Sequence, residues 1–457
     1  MEREPVFNAF VMNAPTHNAH GLWRAPHARN IGFSQPDMWV DLARRLEDAH
    51  FDAMFFADVV GTWDGYRGGW QESVARAVQF PVHDPSVLIP ILAYVTRNLG
   101  FAFTSSIIQE PPFNFARRVS TLDHLSQGRI GWNIVTNALG NAARNFGLPD
   151  VPPHTERYRW AAEYAEVVYK LWEHSWDDGA LVRDREAGIF ADPAKVHAIN
   201  HSGSRYKVEG PHLTEPSPQG TPLLMQAGSS ENGRQFAARH AEGVFIHTPT
   251  PDAAAVVVSD IRARAVAAGR NADDLIFLQD LSFVVAPNDA EAEEKDRQLT
   301  AWFDPEGSLA QMSAAYGIDF STIDLDRPIG DFQSTRHQGI IRSLIEAQSD
   351  KSRTFRDILG VQPTAGRLVG SPDRIVAAIE DWVKAGVDGF NVGFLTLPGS
   401  YVDFIELVAP RLKKKGLMQS TYREGTLREK IFPGRGPRIS SAHPARRGDW
   451  TDFSKIG

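Results

Sequence analysis

The sequence predicts an α/β protein, a (β/α)8 TIM barrel with insertions after strands 4 and 7 and a C-terminal extension. First, apolar segments of strand length alternate with segments of helical periodicity eight times along the chain. Second, most predicted strands end in a polar or charged residue, as in barrels whose active site lies at the carboxyl ends of the strands. Third, a length of 457 residues suits one large barrel with insertions.

A doubly wound sheet is the other arrangement that alternates strands and helices. To bind a dinucleotide it needs a glycine-rich turn after its first strand. Here the first strand is followed by Asn13-Ala14-Pro15-Thr16, which cannot form that turn. The sequence also lacks the G-x-x-x-x-G-K-[ST] motif of a P-loop, so the barrel is the favoured fold.

The first four strand–helix units fall within residues 6–172. Apolar runs predict strands at 6–13, 53–57, 99–103 and 128–137. Helical spacing predicts helices at 36–50, 86–96, 113–125 and 156–172. The fourth strand is the clearest, because an apolar run that includes Trp132 ends in Asn133, Thr136 and Asn137.

The second half of the chain repeats the pattern with two interruptions. Strands are predicted at 222–227, 243–247, 275–286 and 389–395, and helices at 231–240, 252–268, 371–385 and 401–414. The interval 175–220 is rich in glycine, proline and charge, with one hairpin arm at 206–211. The interval 287–366 has the pattern of helical insertions.

The chain therefore divides into a barrel domain at 1–415 and a basic extension at 416–457. Residues 411–457 hold 12 Lys/Arg against 4 Asp/Glu, although the whole chain has a net charge of −8. A basic tail is one signature of nucleic-acid binding. This tail also contains Leu, Phe, Tyr and Trp residues, which favours docking onto the acidic body or a neighbouring subunit, so no nucleic-acid partner is expected.

Composition excludes several classes of protein. The chain has no cysteine, which rules out disulfides, thiolate metal sites, iron–sulfur clusters and cysteine nucleophiles. No apolar run reaches the roughly 18 residues of a membrane span, and the first residues lack the layout of a signal peptide. The sequence predicts a cytoplasmic protein that does not bind membranes.

Neutral hydrogen-bonding groups, rather than paired carboxylates, dominate the predicted strand ends. A hydrolase or metalloenzyme would need acids, bases or metal ligands there. The observed pattern instead favours an enzyme that holds a cofactor with its own chemistry. Asp58 is an exception, since a carboxylate after a very apolar strand needs a hydrogen-bond partner from the backbone or from a cofactor.

Two motifs are candidate anion sites, and each has a simpler explanation. The turn at 228–233, which contains Ser229 and Ser230, follows a strand and opens a helix, so its N–H and hydroxyl groups could bind an anion. A serine there could equally serve only to cap the helix. His154 and Tyr158 lie one helical turn apart and could both reach a phosphate, but an ordinary exposed helix start explains the pair as well.

The loop after the first strand contains His17 and His20. No further acid or cysteine accompanies them, so no metal site is predicted. They are candidates for hydrogen-bond donors in a substrate pocket.

Several segments of the chain resemble the flavin-dependent monooxygenases of the bacterial-luciferase-like superfamily. The resemblance is closest to the branch of the nitrilotriacetate and dibenzothiophene-sulfone monooxygenases. It rests on residues 8–13, 20–24, 51–58, 104–106, 120–136, 156–158, 226–230 and 426–429. These segments span nearly the whole chain, and the block Ser120 to Thr136 is the most specific.

This resemblance implies a barrel that uses reduced FMN (FMNH2), delivered by a separate NAD(P)H-dependent flavin reductase, together with O2. The residues that would contact the isoalloxazine and ribityl parts are Asp58, Thr104, Ser105, Asn133 and Thr136. The residues that would hold the phosphate are His154, Tyr158, Ser229 and Ser230. Under this interpretation the two candidate anion motifs form one site.

The resemblance also implies oxygenation of a small organic substrate, with cleavage of a C–S, C–N or C–halogen bond. His17, His20 and Asn137 are the candidate catalytic groups near that substrate, and relatives often carry a small hydroxyl residue in place of Asn137. Residues 13–20, 60–80 and 287–366 are predicted to shape the pocket. The alternatives are a deazaflavin-dependent dehydrogenase of the same superfamily and a non-catalytic flavin-binding protein. A homodimer or homotetramer is expected.

Overall fold

The computed structural model describes residues 3–329, 350, 352–358, 367–448 and 450. The remaining parts of the predicted second insertion, 330–349, 351 and 359–366, lie outside the described residues. The same holds for residues 449 and 451–457 of the predicted extension.

Eight parallel strands close into a barrel, which confirms the predicted fold class. The strands are β1 (Val6–Met12), β2 (Ala53–Ala57), β3 (Gly100–Ser106), β4 (Ile130–Val135), β5 (Leu223–Gln226), β6 (Gly243–Ile246), β7 (Ile276–Val285) and β8 (Gly389–Val392). Each strand pairs with the next one along the chain. Closure comes from β8 and β1, where Phe390 lies opposite Phe7. All eight predicted strands are present.

A layer of helices surrounds the barrel. Its members are Pro36–Asp48, Pro85–Val95, Pro112–Ser126, His154–Glu173, Glu231–His240, Pro251–Ala267 and Pro372–Lys384. The last helical stretch is built from Gly399–Asp403, a π-helical turn at Phe404–Val408, and Ala409–Lys414. Short helices at Gln71–Ala75 and Gly140–Asn145 were not predicted. In the part of the chain that the structure describes, no helix is long and apolar enough to cross a bilayer.

Alternation along each strand separates the barrel interior from the helix layer. On β1, Phe7 belongs to the core beneath the helices, whereas Phe10 belongs to the interior core together with Phe55 of β2. On β4, Trp132 packs against Phe115 of the helix layer, with ring centroids 4.5 Å apart. Successive strand side chains point to opposite faces, so Asn133, next to Trp132, faces the interior.

The first insertion consists of two small antiparallel hairpins. Leu181–Asp184 pairs with Ile189–Ala191, and His201–Ser202 pairs with Lys207–Val208. The second pairing confirms the hairpin arm predicted at 206–211.

The second insertion is helical where it is described. It contains Asp289–Thr300, Pro305–Tyr316 and the short helix Phe355–Ile358. It is followed by a strand that was not predicted, Arg367–Gly370, which pairs in parallel with the last four residues of β7. Since β7 is ten residues long, its carboxyl half extends past its pairing with β8 and leaves an edge for this extra strand.

The C-terminal extension closes the amino end of the barrel. Its helix Leu427–Ile431 places Leu427, Ile431 and Phe432 in the interior core. On the same helix, the buried Arg428 guanidinium donates to both carboxylate oxygens of Glu242, at 2.7 and 2.9 Å. It also donates to the carbonyls of Thr221 and Pro222, both at 2.9 Å. The extension is therefore bound to the starts of β5 and β6.

Replacing Arg428 with methionine should lower the free energy of unfolding by about 3–5 kcal/mol, because Glu242 would stay buried without its cation. Urea denaturation measures this loss. Arg411, exposed and paired with an exposed Asp373, is the matched control, and Arg411→Met should change stability by less than about 1 kcal/mol. Equal effects of the two substitutions would contradict a stabilising role of the buried pair.

Candidate active site

Aromatic side chains form the floor of the barrel mouth. Phe55 and Phe245 stack with ring centroids 6.2 Å apart, and Phe10 contacts both of them. The His17 ring meets the Phe10 ring edge-on at 4.5 Å. The mouth therefore has an apolar base suited to a flat ring system.

Two neighbouring strands place polar groups on the inner wall. Asn133 of β4 donates from Nδ2 to Thr104 Oγ1 of β3 at 2.9 Å, and both residues are buried. Ser105 is on the opposite face of β3, where its hydroxyl donates to Gln109 Oε1 at 3.0 Å. Strand alternation turns the Ser105 hydroxyl away from the mouth, and the Ser105 carbonyl accepts from Trp132 Nε1 at 3.0 Å. The role of Ser105 in cofactor binding stays a prediction.

A group of buried polar atoms without a hydrogen-bond partner in the protein lies at this end of the barrel, and other such atoms lie elsewhere in the described chain, for example His212 Nδ1 and Arg234 Nε. The atoms at this end are Asn13 Oδ1, Thr16 Oγ1, His20 Nδ1, Thr62 Oγ1, Ser106 Oγ, Asn133 Oδ1, Arg157 Nε and Gln226 Oε1. All of them lie at or beyond the carboxyl ends of β1 to β5, whereas buried polar groups are normally paired. A ligand with several hydrogen-bonding groups would satisfy them.

Asp58 lies where β2 ends, beside a cavity of about 400 Å³ that Asp84 and His83 also line. The pKa of Asp58 is raised to about 8, and burial is the largest cause. The neighbouring Asp84 carboxylate also raises this pKa, and the hydrogen bond from the Val59 N–H opposes both effects with a smaller one. The side chain is therefore a neutral acid at neutral pH and can donate a hydrogen bond. The sequence analysis expected a hydrogen-bond partner for the Asp58 carboxyl group, and the Val59 N–H is one such partner.

The predicted anion site is assembled as one cluster on the rim. Ser230 Oγ lies 3.1 Å from His154 Nε2, and Asn232 Nδ2 lies 3.2 Å from His154 Nδ1. Tyr158 is buried below them, and its hydroxyl is so close to Gly233 that a Cβ there would meet it at 2.9 Å. Ser230 also caps the helix by accepting from the Gly233 N–H. The structure thus shows the helix cap, and anion binding by the 228–233 turn stays a prediction.

Three details complete the rim. Ser229 is exposed beside this cluster. Burial raises the pKa of the Tyr158 hydroxyl, and burial together with Arg157 lowers the pKa of His154. Arg157 was missed by the sequence analysis, although it follows Glu156 at the predicted helix start. Its Nε is buried without a partner and its Nη1 donates to the Asn137 carbonyl.

The histidines of the first loop are buried and occupy different surroundings. Burial lowers the pKa of His17 to about 4, which outweighs the opposing effect of Asp280. His20 Nε2 lies 2.8 Å from Gln311 Oε1 in the second insertion. Burial also lowers the pKa of His20, against the effects of Gln311 and Asp304. Both rings are neutral at neutral pH, and the described residues contain no cluster of three or more metal-ligating side chains.

The structure reveals a second polar pair in the mouth. His247, a strand-end residue of the sequence pattern, follows β6, and its Nδ1 lies 3.2 Å from Asp280 Oδ2 on β7. This hydrogen bond raises the pKa of His247. The sequence analysis missed Asp280, although a carboxylate at an inward position of a mostly apolar strand was an available signal.

Asn137 and Thr136 differ in how they are engaged. Asn137 adopts a left-handed conformation with φ of 59°, which asparagine tolerates better than most residues. Its side-chain amide donates to the Leu139 carbonyl at 3.2 Å and accepts from the Leu139 N–H at 3.1 Å. This turn accounts for the asparagine, and its role near a substrate stays a prediction. Thr136 is half-buried at the same strand end.

The three segments predicted to shape the pocket meet one another. Gln79 donates to the His17 carbonyl at 3.1 Å and accepts from Trp63 Nε1 at 3.2 Å. Tyr66 donates to Glu306 of the second insertion at 2.7 Å. Residues 13–20, 60–80 and the described part of 287–366 thus form one wall.

The barrel and the polar groups at its mouth define a (β/α)8-barrel enzyme. The family model for luciferase-like monooxygenases matches residues 10–389, and the chain belongs to this family. This result confirms the family indicated by the resemblance. Relatives named dibenzothiophene-sulfone and nitrilotriacetate monooxygenase, 34% and 32% identical, support the branch as well.

The chain is similar to proteins of known activity over its whole length. It is 41% identical to a dimethyl-sulfide monooxygenase of Hyphomicrobium sulfonivorans, covering 97% of this chain and 94% of the relative. It is 43% identical to a long-chain alkane monooxygenase of Geobacillus thermodenitrificans, covering 98% of each. A crystal structure of a long-chain alkane monooxygenase superposes with a TM-score of 0.89 at 44% identity, covering 98% of this chain and 100% of that one.

A second solved structure is that of a riboflavin lyase with modified FMN and its substrate riboflavin. It superposes with a TM-score of 0.88 at 36% identity and covers 97% of this chain and 99% of that one.

The raised pKa of Asp58 predicts how stability depends on pH. Between the usual aspartate pKa, about 4, and about 8, the folded protein retains a proton that the unfolded chain releases. Ionisation of Asp58 therefore destabilises the wild type progressively as pH rises through this range. The Asp58→Asn variant, which cannot ionise there, should gain stability relative to wild type between pH 5 and pH 9, as measured by urea denaturation.

The exposed Asp37 provides the control for this measurement. Asp37→Asn should show a small difference from wild type that changes little over the same range. A pH-independent difference for Asp58→Asn would show that Asp58 is not held neutral by burial.

Proposed function

We propose that this protein is the oxygenase component of a two-component monooxygenase that uses FMNH2 and O2 to oxidise a small organic substrate. The observation that carries the proposal is the group of unpartnered buried polar atoms at the barrel mouth, next to the polar rim at His154 and Ser230. This pattern fits a ligand with a flat, hydrogen-bonding ring system and an anionic tail. Reduced FMN has that form and supplies the electrons with which O2 is activated.

The residues of the mouth divide into groups that match the parts of such a ligand. The aromatic floor at Phe10, Phe55 and Phe245 accepts the ring system, while Asn133 and Thr104 supply hydrogen bonds from the inner wall. Asp58, in its neutral form, donates a hydrogen bond to a carbonyl or ring nitrogen. Thr136 and the main chain of Ser105 lie along the path toward the rim.

The phosphate is assigned to His154, Tyr158, Ser229 and Ser230, with Arg157 as an additional cation. The N-terminus of the helix that starts at Glu231 adds the positive end of its dipole. Charge-assisted hydrogen bonds of this kind suit a phosphate dianion.

The protein's contribution to the reaction is to bind, orient and exclude water. His17 is neutral and can accept a proton at a ring nitrogen, whereas His247, with Nδ1 held by Asp280, can give up a proton from Nε2. His17, His20 and Asn137 are retained as the groups nearest the substrate. The wall formed with the second insertion shields this region from solvent, which favours productive oxygenation.

The substrate class follows from the relatives and from the apolar mouth. Relatives act on a dialkyl sulfide and on long-chain alkanes, as their names state. We therefore propose a small, largely apolar molecule in which a C–S, C–N or C–halogen bond is cleaved. A separate flavin reductase in the same cytoplasmic compartment would supply FMNH2, and a homodimer or homotetramer is the proposed assembly.

The direct test is oxygen uptake with FMN, NADH and a generic flavin reductase across dialkyl sulfides, sulfones, alkanes, aminopolycarboxylates and haloaromatics. Catalase in the assay removes peroxide made by the reductase alone. At least one class should give an oxygenated product whose formation requires this protein. Tight binding of FMNH2 without product from any class would refute the monooxygenase function.

The phosphate assignment has its own test. Ser229→Ala and Tyr158→Phe should each weaken FMNH2 binding by about 10- to 150-fold, because each removes a charge-assisted hydrogen bond worth about 1.5–3 kcal/mol. Anaerobic fluorescence titration measures the affinity. Ser229 is preferred to Ser230, whose role as helix cap would confuse the result. Ser202→Ala, at an exposed serine of the first insertion, is the control and should leave the affinity unchanged.

A further inference from the structure

A second cavity lies at the amino end of the barrel, opposite the mouth. It has a volume of about 540 Å³ and is enclosed by the C-terminal extension and the segments that begin β6 and β7. Five arginines line it: Arg270, Arg428, Arg435, Arg438 and Arg446. Its acidic lining residues are Glu242 and Asp274. This density of guanidinium groups is not explained by the proposed chemistry at the mouth.

Both acidic residues are already paired. Glu242 accepts two hydrogen bonds from Arg428, and Asp274 accepts one from Arg435. Arg438 is paired with Glu173 at 2.6 Å, behind the cavity wall. Glu242 and Asp274 raise the pKa of Arg270 by less than burial lowers it. The lining thus holds five guanidinium groups and only two carboxylates, so it keeps an excess of positive charge.

Arg270 is 3% exposed, and its guanidinium donates only to neutral carbonyls within the described residues. These are the carbonyls of Ala238 at 2.9 Å, Ala241 at 2.7 Å and Asp274 at 3.4 Å. Its Nε is buried with no hydrogen-bond partner. A buried cation without a paired anion is costly, so the site favours an additional negative charge nearby.

Arg446 supplies an accessible cation at the edge of the same cavity. Arg446 is exposed, and its Nη1 donates a hydrogen bond to the Ile439 carbonyl at 3.3 Å. Neutral donors complete the lining, namely the Asn271 amide and the Ser440 and Ser441 hydroxyls. Gly436 lies between Arg435 and Arg438 in the chain. No atom lies within 4 Å of the position that its Cβ would occupy, so the loop backbone is also accessible.

We infer that this cleft is a binding site for a phosphate-bearing small molecule, separate from the site in the mouth. Guanidinium groups match the geometry and charge of phosphate oxygens better than other side chains do. The volume is in the range of small-ligand sites. Inorganic phosphate, pyrophosphate and a nucleoside monophosphate share the chemistry that these residues recognise. The inference does not depend on the function proposed for the mouth.

Isothermal titration calorimetry at low ionic strength tests the site, because salt screens such interactions. The probes are inorganic phosphate, pyrophosphate and AMP, titrated into the full-length protein that carries Ser229→Ala and Tyr158→Phe to weaken phosphate binding at the mouth. At least one probe should bind at one site per chain. Comparing the three probes distinguishes a free anion from a nucleotide.

Arg446→Ala should weaken this binding by about tenfold or more, the loss expected for one charge-assisted contact, and Arg446→Glu should abolish it. The matched control is Arg447→Ala, since Arg447 is the neighbouring exposed arginine and donates to the Gly269 and Ala268 carbonyls outside the cavity. Both positions are exposed, so the variants should fold. Absence of binding by every probe, or equal weakening by Arg446→Ala and Arg447→Ala, would overturn the inference.

Discussion

The Arg428–Glu242 ion pair connects the C-terminal extension to the amino end of the barrel, and the closed barrel depends on this connection. One guanidinium, on a helix near the end of the chain, satisfies a buried carboxylate at the start of β6 and two carbonyls ahead of β5. Its geometry is good enough to offset the cost of burying both charges. The same helix brings Leu427 and Ile431 into the barrel interior. These two side chains help to fill the amino end of the barrel interior.

Burial controls the charge of the mouth. It raises the pKa of Asp58 and lowers the pKa of His17, so an acid and a base are both neutral at neutral pH. Charge remains in this part of the described chain at the rim near Arg157, at the His247–Asp280 pair and at Asp84 beside Asp58. A weakly charged wall with one anion-binding side is the electrostatic arrangement that a neutral ring system with a phosphate tail requires.

The two ends of the barrel differ in which of their buried polar groups have hydrogen-bond partners within the protein. At the mouth, neutral donors and acceptors such as Asn133 Oδ1 are left without protein partners. At the amino end, Arg428, Arg435 and Arg438 are paired with carboxylates, whereas Arg270 and Arg446 at the same cavity donate to backbone carbonyls. In both places the unpaired groups mark where the protein alone does not complete its own hydrogen bonding or charge balance.

The sequence alone was sufficient for the architecture, because strands and helices leave periodic patterns that depend only on neighbouring residues. The eight barrel strands, the inward side of Asn133 and the strand ends at Asp58 and Thr104 followed from that periodicity, and the block at 120–136 carried the family. The tertiary structure alone decided the pairings between distant segments. Arg428 meets Glu242 across 186 residues, and His247 meets Asp280 only because β6 and β7 are adjacent in the barrel. It also showed that the Ser105 hydroxyl bonds to Gln109 and that the Asn137 amide completes its own turn, since both hydrogen bonds depend on loop geometry that has no periodic signature.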